Sequence, residues 1–166
     1  MHVRSWQVAY RGLLPDQLLD ELSVPAREHT WREILAGPAG AHVTDVTVAV
    51  RAGTVAGFCA VVTPSRDDAA STVTGDDATG GVAEIAALYV DPPAWRSGAG
   101  RALMQAALAS LRAAGWREVT LWVLASNQQA RAFYAASGFR PDGATMAHPG
   151  SGRPEVRLRA ALSPAP

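Results

Sequence analysis

The chain has 166 residues, 48% apolar and 18% charged, and its fifteen basic side chains balance fifteen acidic ones. That composition describes one globular domain with a sizeable core and excludes a disordered chain. Zero net charge argues against a general binder of nucleic acid or of an anionic membrane, since both draw affinity from excess positive charge. Every basic residue is arginine, which excludes Schiff-base lysine chemistry and a Walker-type phosphate lysine.

Trp6, Tyr10, Leu13 and Leu14 open the chain, broken by Gly12 and Pro15. Pro15 can start a helix carrying Leu18, Leu19 and Leu22. Pro25 reads as an interruption, and "REHTWREILAG" as a further short helix stopped at Gly37-Pro38. From residue 43 two β-branched runs flank Arg51-Ala52-Gly53, a hairpin signal. Lone Cys59, in "VAGFCAVVT", reads as a small core residue; it permits no intrachain disulfide. His2, His29, His42 and His148 show no metal-ligand spacing, so no metal is expected. Residues 64–81, polar and glycine-rich, read as a mobile hairpin loop.

"VAEIAALYVDPP" is a strand ended by prolines, and "RALMQAALASLRAAG" is an amphipathic helix with Leu103, Ala107 and Leu111 on one face. "WREVTLWVLA" alternates Val119, Leu121 and Val123 as a strand. "SNQQARAFYAASG" is a short helix capped by Ser126 or Asn127. "FRPDGATM" and "PEVRLRAAL" read as a closing strand pair, and the tail 163–166 should fray. The order is α/β with one sheet. The N-terminus lacks a signal-peptide pattern and no apolar run approaches membrane length, so the expected location is cytoplasmic.

Between strand and helix lies "WRSGAGRALM", residues 95–104. A lone G-x-G is weakly specific. Its position is informative: glycines that follow a strand and open a helix aim the N–H groups of Gly98, Ala99, Gly100, Arg101 and Ala102 at the positive end of the helix dipole. Glycine removes the Cβ atoms that would hold a pyrophosphate away. Arg96, Ser97 and Arg101 lie beside this cradle, where each arginine is a phosphate partner or a solvated surface residue. A Rossmann fingerprint is disfavoured, because no third glycine follows at the required spacing.

With these motifs the sequence resembles the GNAT superfamily of acetyl-CoA-dependent N-acetyltransferases. "EIAALYVDPPAWRSGAGRALM" and "LWVLASNQQARAFYAASGFRPDG" look like its cofactor-binding half, with Gly98, Gly100, Asn127, Ala130, Phe133, Tyr134, Gly138 and Phe139 matching. Trp95 stands where the family has Gln or Arg, which removes a side-chain contact and leaves the backbone cradle. "SWQVAYRGLLPD" looks like the acceptor-side helix and loop of one branch. The resemblance implies a single domain over 1–166, with a mixed, splayed sheet flanked by helices. It also implies an edge strand ahead of the first helix, which this sequence lacks; an uncovered edge can recruit a second chain as a homodimer.

The resemblance further implies acetyl transfer from acetyl-CoA to an amine, on a small molecule or a protein. Glu84, eleven residues before Trp95, matches a catalytic glutamate of some members; it reads equally as a polar residue at a strand start, and other branches use water alone. Tyr134 is the implied acid, since a phenol of pKa about 10 can protonate a thiolate whose thiol lies near about 8.5. Leu88, Tyr89 and Val90 lie on the strand implied to bond the pantetheine arm through its backbone, with the Leu88 N–H as oxyanion donor. Asn127 reads as a cofactor contact or a helix cap. Trp6, Tyr10, Arg11 and Trp31, with Met146 and His148, are the implied acceptor pocket. Two other readings are an acyl-CoA-binding module without catalysis and a flavodoxin-like nucleotide binder.

Overall fold

In the computed structural model, which describes residues 1–37, 43–63, 65 and 81–162, one six-stranded sheet carries five α-helices. The helices are α1 (His2–Ala9), α2 (Asp16–Asp20), α3 (Val24–Ala36), α4 (Ala99–Ala113) and α5 (Gln128–Ala136). The strands are β1 (Asp45–Arg51), β2 (Thr54–Val62), β3 (Val82–Val90), β4 (Glu118–Leu124), β5 (Arg140–Ala147) and β6 (Pro154–Ala161), in the order β1-β2-β3-β4-β6-β5. Only β3 and β4 pair in parallel; every other pair is antiparallel. That rules out a flavodoxin-like doubly wound sheet, whose strands are predominantly parallel. The expected loop at 64–81, His42 and the 163–166 tail lie largely or wholly outside the described residues.

Local chemistry accounts for the elements. Ala52 and Gly53 both take positive φ, 48° and 73°, the pair of left-handed residues that a two-residue β1–β2 hairpin demands. Pro25 corrects the sequence reading: it lies in the first turn of α3, where its missing N–H costs nothing, and the Ser23 hydroxyl caps that turn from the Ala26 N–H. The α4 face expected from periodicity is buried: Leu103, Met104, Ala107, Leu108 and Leu111 pack against the sheet. A smaller cluster of Leu14, Leu19 and Leu124 joins α1 and α2 to the opposite face.

One irregularity sets the rest of β3. Val61 pairs with Ile85 and Ala60 with Ala87, so Ala86 is an extra residue, a β-bulge. Without it Ile85, Ala87 and Tyr89 would share a face. With it Ile85, Leu88 and Val90 pack on the α4 side, and Tyr89 turns toward α1 beside His2 and Trp6. The bulged strand pairs with β4 only at Val82, Ala83 and Glu84, opposite Glu118, Val119 and Thr120. Beyond them the sheet splits, as a splayed sheet should, while β4 stays paired with β6 from Glu118 to Leu124.

At the β1 edge Val48 and Val50 are 51% and 61% exposed. Between β2 and β3 the backbones approach so closely that a Cβ on Gly57 would lie 2.8 Å from the Tyr89 carbonyl oxygen. Gly57→Ala should therefore cost about 1–3 kcal/mol of stability by overpacking. A urea melt showing an unchanged midpoint would contradict this packing.

Candidate active site

The backbone of β3 can be oriented atom by atom. The Asp91 N–H donates to the Ala56 carbonyl at 2.8 Å, and the Tyr89 carbonyl lies against Gly57, so these groups face β2. Alternation along a strand then turns the N–H and C=O groups of Leu88 and Val90 the other way, into the split. There β4 no longer pairs with them. The Val90 carbonyl is taken twice, by Trp95 Nε1 at 2.7 Å and by Ser5 Oγ at 3.1 Å. Among the described residues, the Leu88 N–H and C=O and the Val90 N–H remain as an open edge between two strands.

Trp95 thus has a role the sequence did not disclose. It clamps the end of β3, and the chain then turns through Arg96 at φ 62° and Gly98 at φ 91° into α4. A left-handed arginine is strained and persists only where its surroundings enforce it. Ser97 closes the same turn, its hydroxyl donating to the Ala94 carbonyl at 2.7 Å. The first helical bond of α4 runs from the Ala102 N–H to the Gly98 carbonyl at 3.0 Å. This corrects the expected cradle: Ala102 is already bonded, and the helix-start donors are those of Ala99, Gly100 and Arg101, beside Gly98. A Cβ at Gly98 would meet open space, so that glycine answers to its φ and to whatever approaches. Arg96 and Arg101 are exposed beside the helix start.

From the α4 side, α5 closes the split. The Asn127 Oδ1 accepts from the Ala130 N–H at 3.0 Å, which makes Asn127 the cap of α5 and leaves only its amide nitrogen for another partner. Phe133 packs near Gly100 and Val90, under the start of α4. Tyr134 lines the split with Ala130 and Leu88, and burial pushes its phenol up well above the usual tyrosine value. Phe133 and Tyr134 both touch the rim of the main core.

On the other face lies a cleft of about 380 Å³, lined by Trp6, Tyr10, Glu84, Tyr89, Trp122, His148 and Glu155 among others. Tyr10 sits with its hydroxyl 3.4 Å from that of Tyr89, and burial raises its pKa. Met146 and His148 line the cleft. Arg11 and Trp31 do not. Arg11 is exposed and bridges Asp16 and Asp20 of α2 at 2.9 and 2.8 Å. Trp31 stands behind the cleft, packing on Phe58 and donating to His2 Nδ1 at 3.1 Å. Glu84 is fully buried at the paired end of β3, and it has an interaction partner of its own. Trp122 and Glu155 were missed in the sequence. Trp122 alternates with the core-facing Val119, Leu121 and Val123, and Glu155 lies in the closing strand pair.

The mixed sheet, split beside a glycine-capped helix start and backed by α5, is the architecture of the acyl-CoA N-acyltransferase fold class. The chain belongs to the acetyltransferase (GNAT) family, whose model matches residues 6–139. The mycothiol acetyltransferase of Beutenbergia cavernae is 52% identical over 66 residues, 40% of this chain and 21% of that protein. The matched stretch spans about a fifth of the length of the curated relatives. Among solved structures, the PaiA N-acetyltransferase from Thermoplasma acidophilum in complex with coenzyme A shares the fold at TM-score 0.69 and 19% identity, over 96% of this chain and 87% of that one. A GCN5-related N-acetyltransferase from Kribbella flavida gives TM-score 0.60 and 26% identity, over 86% and 79% of the two chains.

Packing behind the cleft makes a prediction about acid. Burial, then the nearby Arg27 charge, lowers the His2 pKa from 6.5 to about 4. A histidine depressed in the fold stays neutral there while the unfolded chain protonates it, so stability falls as pH drops from about 6.5 toward about 4. Thermal melts of His2→Phe should show a flatter pH dependence over that window than the parent. Parallel curves would remove His2 as the cause.

Proposed function

We propose that this domain moves an acetyl group from acetyl-CoA to a primary amine by direct attack. The observation that carries this reading is the open edge of Leu88 and Val90, which runs from the α4 start to the Tyr134 phenol. An extended pantetheine arm is amide-rich and can pair with such an edge as an added strand. The α4 N–H groups and Arg96 and Arg101 lie where its pyrophosphate would be held. Acetyl-CoA supplies the thioester. No metal is needed for this chemistry.

The amine must reach the thioester carbonyl neutral, although an alkylammonium has a pKa of about 10.4. Its proton goes to a carboxylate on the cleft wall or to water; Glu84, on the cleft floor, is the position the family resemblance supplies. The Leu88 N–H faces the split, suited to the oxyanion that forms on attack. Tyr134 then protonates the departing thiolate; its raised pKa keeps it protonated until that base appears. Cys59 takes no part, because its thiol is buried and pushed up to about 12. The acceptor partner is an amine on a small molecule or a protein. A second copy along the open β1 edge belongs to the same reading, and sedimentation of a Val50→Lys variant as a monomer beside a dimeric parent would support it.

Among the described residues no helix is long and apolar enough to cross a membrane. A cytoplasmic setting, where acetyl-CoA is made and used, accords with the reading. The competing acyl-CoA-binding module needs the cradle but not a proton donor at Tyr134. Tyr134→Phe should lower kcat about a hundredfold or more while leaving the calorimetric Kd for CoA unchanged. An unaltered kcat removes Tyr134 from the mechanism, and tight CoA binding without thiol release across an amine panel favours the module. Replacing Gly98 and Gly100 together by valine should abolish CoA binding; retained affinity would reduce the cradle to a turn.

A further inference from the structure

Glu155 stands where the two halves of the site meet. It lies in β6, its Cα opposite Leu124 of β4 and Met146 of β5. Leu124 is four residues past Thr120, where β3 and β4 part, so Glu155 flanks the open end of the split. Its side chain lines both the acceptor cleft and the split, as do Tyr10, Tyr89 and Trp122. Glu84 lines the cleft alone.

The surroundings of Glu155 are those of a carboxylate waiting for a cation. It is half-buried, and among the described residues it has no hydrogen bond or ion pair. Removing a carboxylate from water without a partner is costly, and a cationic ligand repays that cost. The aromatic rings of Trp6, Tyr10 and Trp122 wall the site; Arg27 already lies over Trp6 and Arg157 over Trp122, and such rings attract cationic groups, an ammonium included. No arginine is among the described residues lining either space. The titratable groups facing it are His148 from the β5–β6 turn, Tyr10 from the C-terminal cap of α1, Tyr89 from β3 and Tyr134 from α5, with Glu84 across the cleft. Burial raises its pKa, with His148 opposing, which makes it a better base than an exposed carboxylate.

We propose that Glu155 pairs with the incoming acceptor ammonium and takes the proton that must leave before the nitrogen attacks. This inference rests on the acetyl-transfer reading above. The ammonium gives one proton to Glu155, and the freed lone pair forms the C–N bond as the carbonyl electrons move to oxygen. Collapse breaks the C–S bond, and the thiolate takes its proton from Tyr134. The new amide nitrogen loses its second proton to restore Tyr134 through solvent, and Glu155 releases its own. One proton is released overall. Base and acid thus stand on opposite faces of the split, Glu155 on the α1 side and Tyr134 on the α5 side.

The test uses the full chain, first screened for thiol release from acetyl-CoA across an amine panel. With the best ammonium acceptor, Glu155→Gln should lower kcat/KM about a hundredfold or more at pH 7. Glu155→Asp should recover part of it. With trifluoroethylamine, already neutral at that pH, the Gln variant should approach the parent rate. The acid limb of the pH profile should move to higher pH in the Gln variant, following the acceptor's own ionisation. As a binding readout, spermidine added with CoA should alter the fluorescence of Trp6 and Trp122, with weaker affinity in Glu155→Gln. Equal loss with the neutral amine, no loss with the ammonium, or the same pattern from Glu84→Gln would each overturn the proposal. If the parent releases no thiol with any amine, the acetyl-transfer reading fails and the base role with it. The spermidine titration then still tests the ammonium site: weaker binding in the variant supports it, and unchanged binding removes it.

Discussion

Most of this structure follows from three residue pairs between β3 and β4. A bulge at Ala86 bends β3, while β4 is committed along its whole length to β6. The strands therefore part after Glu84 and Thr120. A strand edge inside a sheet is unusual, because backbone donors and acceptors left without partners are costly. Here the cost is limited: the Val90 carbonyl is satisfied by Trp95 and Ser5, and the remaining groups of Leu88 and Val90 face a space open to a ligand.

The helices are fastened to this opening. Arg4 of α1 forms a bidentate pair with Asp91, just beyond β3, with its Nε at 2.8 Å. Together with Ser5 on the Val90 carbonyl, this holds α1 against the strand whose backbone matters most. The same helix carries Trp6, and its C-terminal cap Tyr10, into the cleft, so binding wall and strand position are one unit. On the other face, α4 begins where Trp95 and Ser97 fix the turn, and Phe133 supports it from α5. Rigid, mutually packed elements are what a site needs if donors must be in place before charge develops.

The split also separates chemical tasks by face. The α1 side is aromatic and carries the carboxylates Glu84 and Glu155, an environment for a cation. The α5 side carries Tyr134, a phenol kept neutral by burial. A nucleophile that must lose a proton and a leaving group that must gain one are thereby given opposite surroundings, with the β3 backbone between them.

Much of this was legible in the chain. The glycine turn, the amphipathic α4, a cap at Ser126 or Asn127 and the hairpin at Arg51-Ala52-Gly53 are local features, set by φ preferences and periodicity within a few residues. Motif spacing in "EIAALYV", "WRSGAG" and "NQQARAFY" was enough to indicate the family. Tertiary structure decided what depends on distant partners. The bulge at Ala86 put Tyr89 on the α1 face, which no alternation in "EIAALYV" could reveal. Trp95 became a clamp because the Val90 carbonyl lies within its reach, and Arg11 left the cleft because α2 offered two carboxylates. In the sequence Glu155 is one more charge within the closing strand pair. It enters the site only because β6 runs beside β4 at the point where β4 parts from β3, a long-range pairing that the local sequence does not encode.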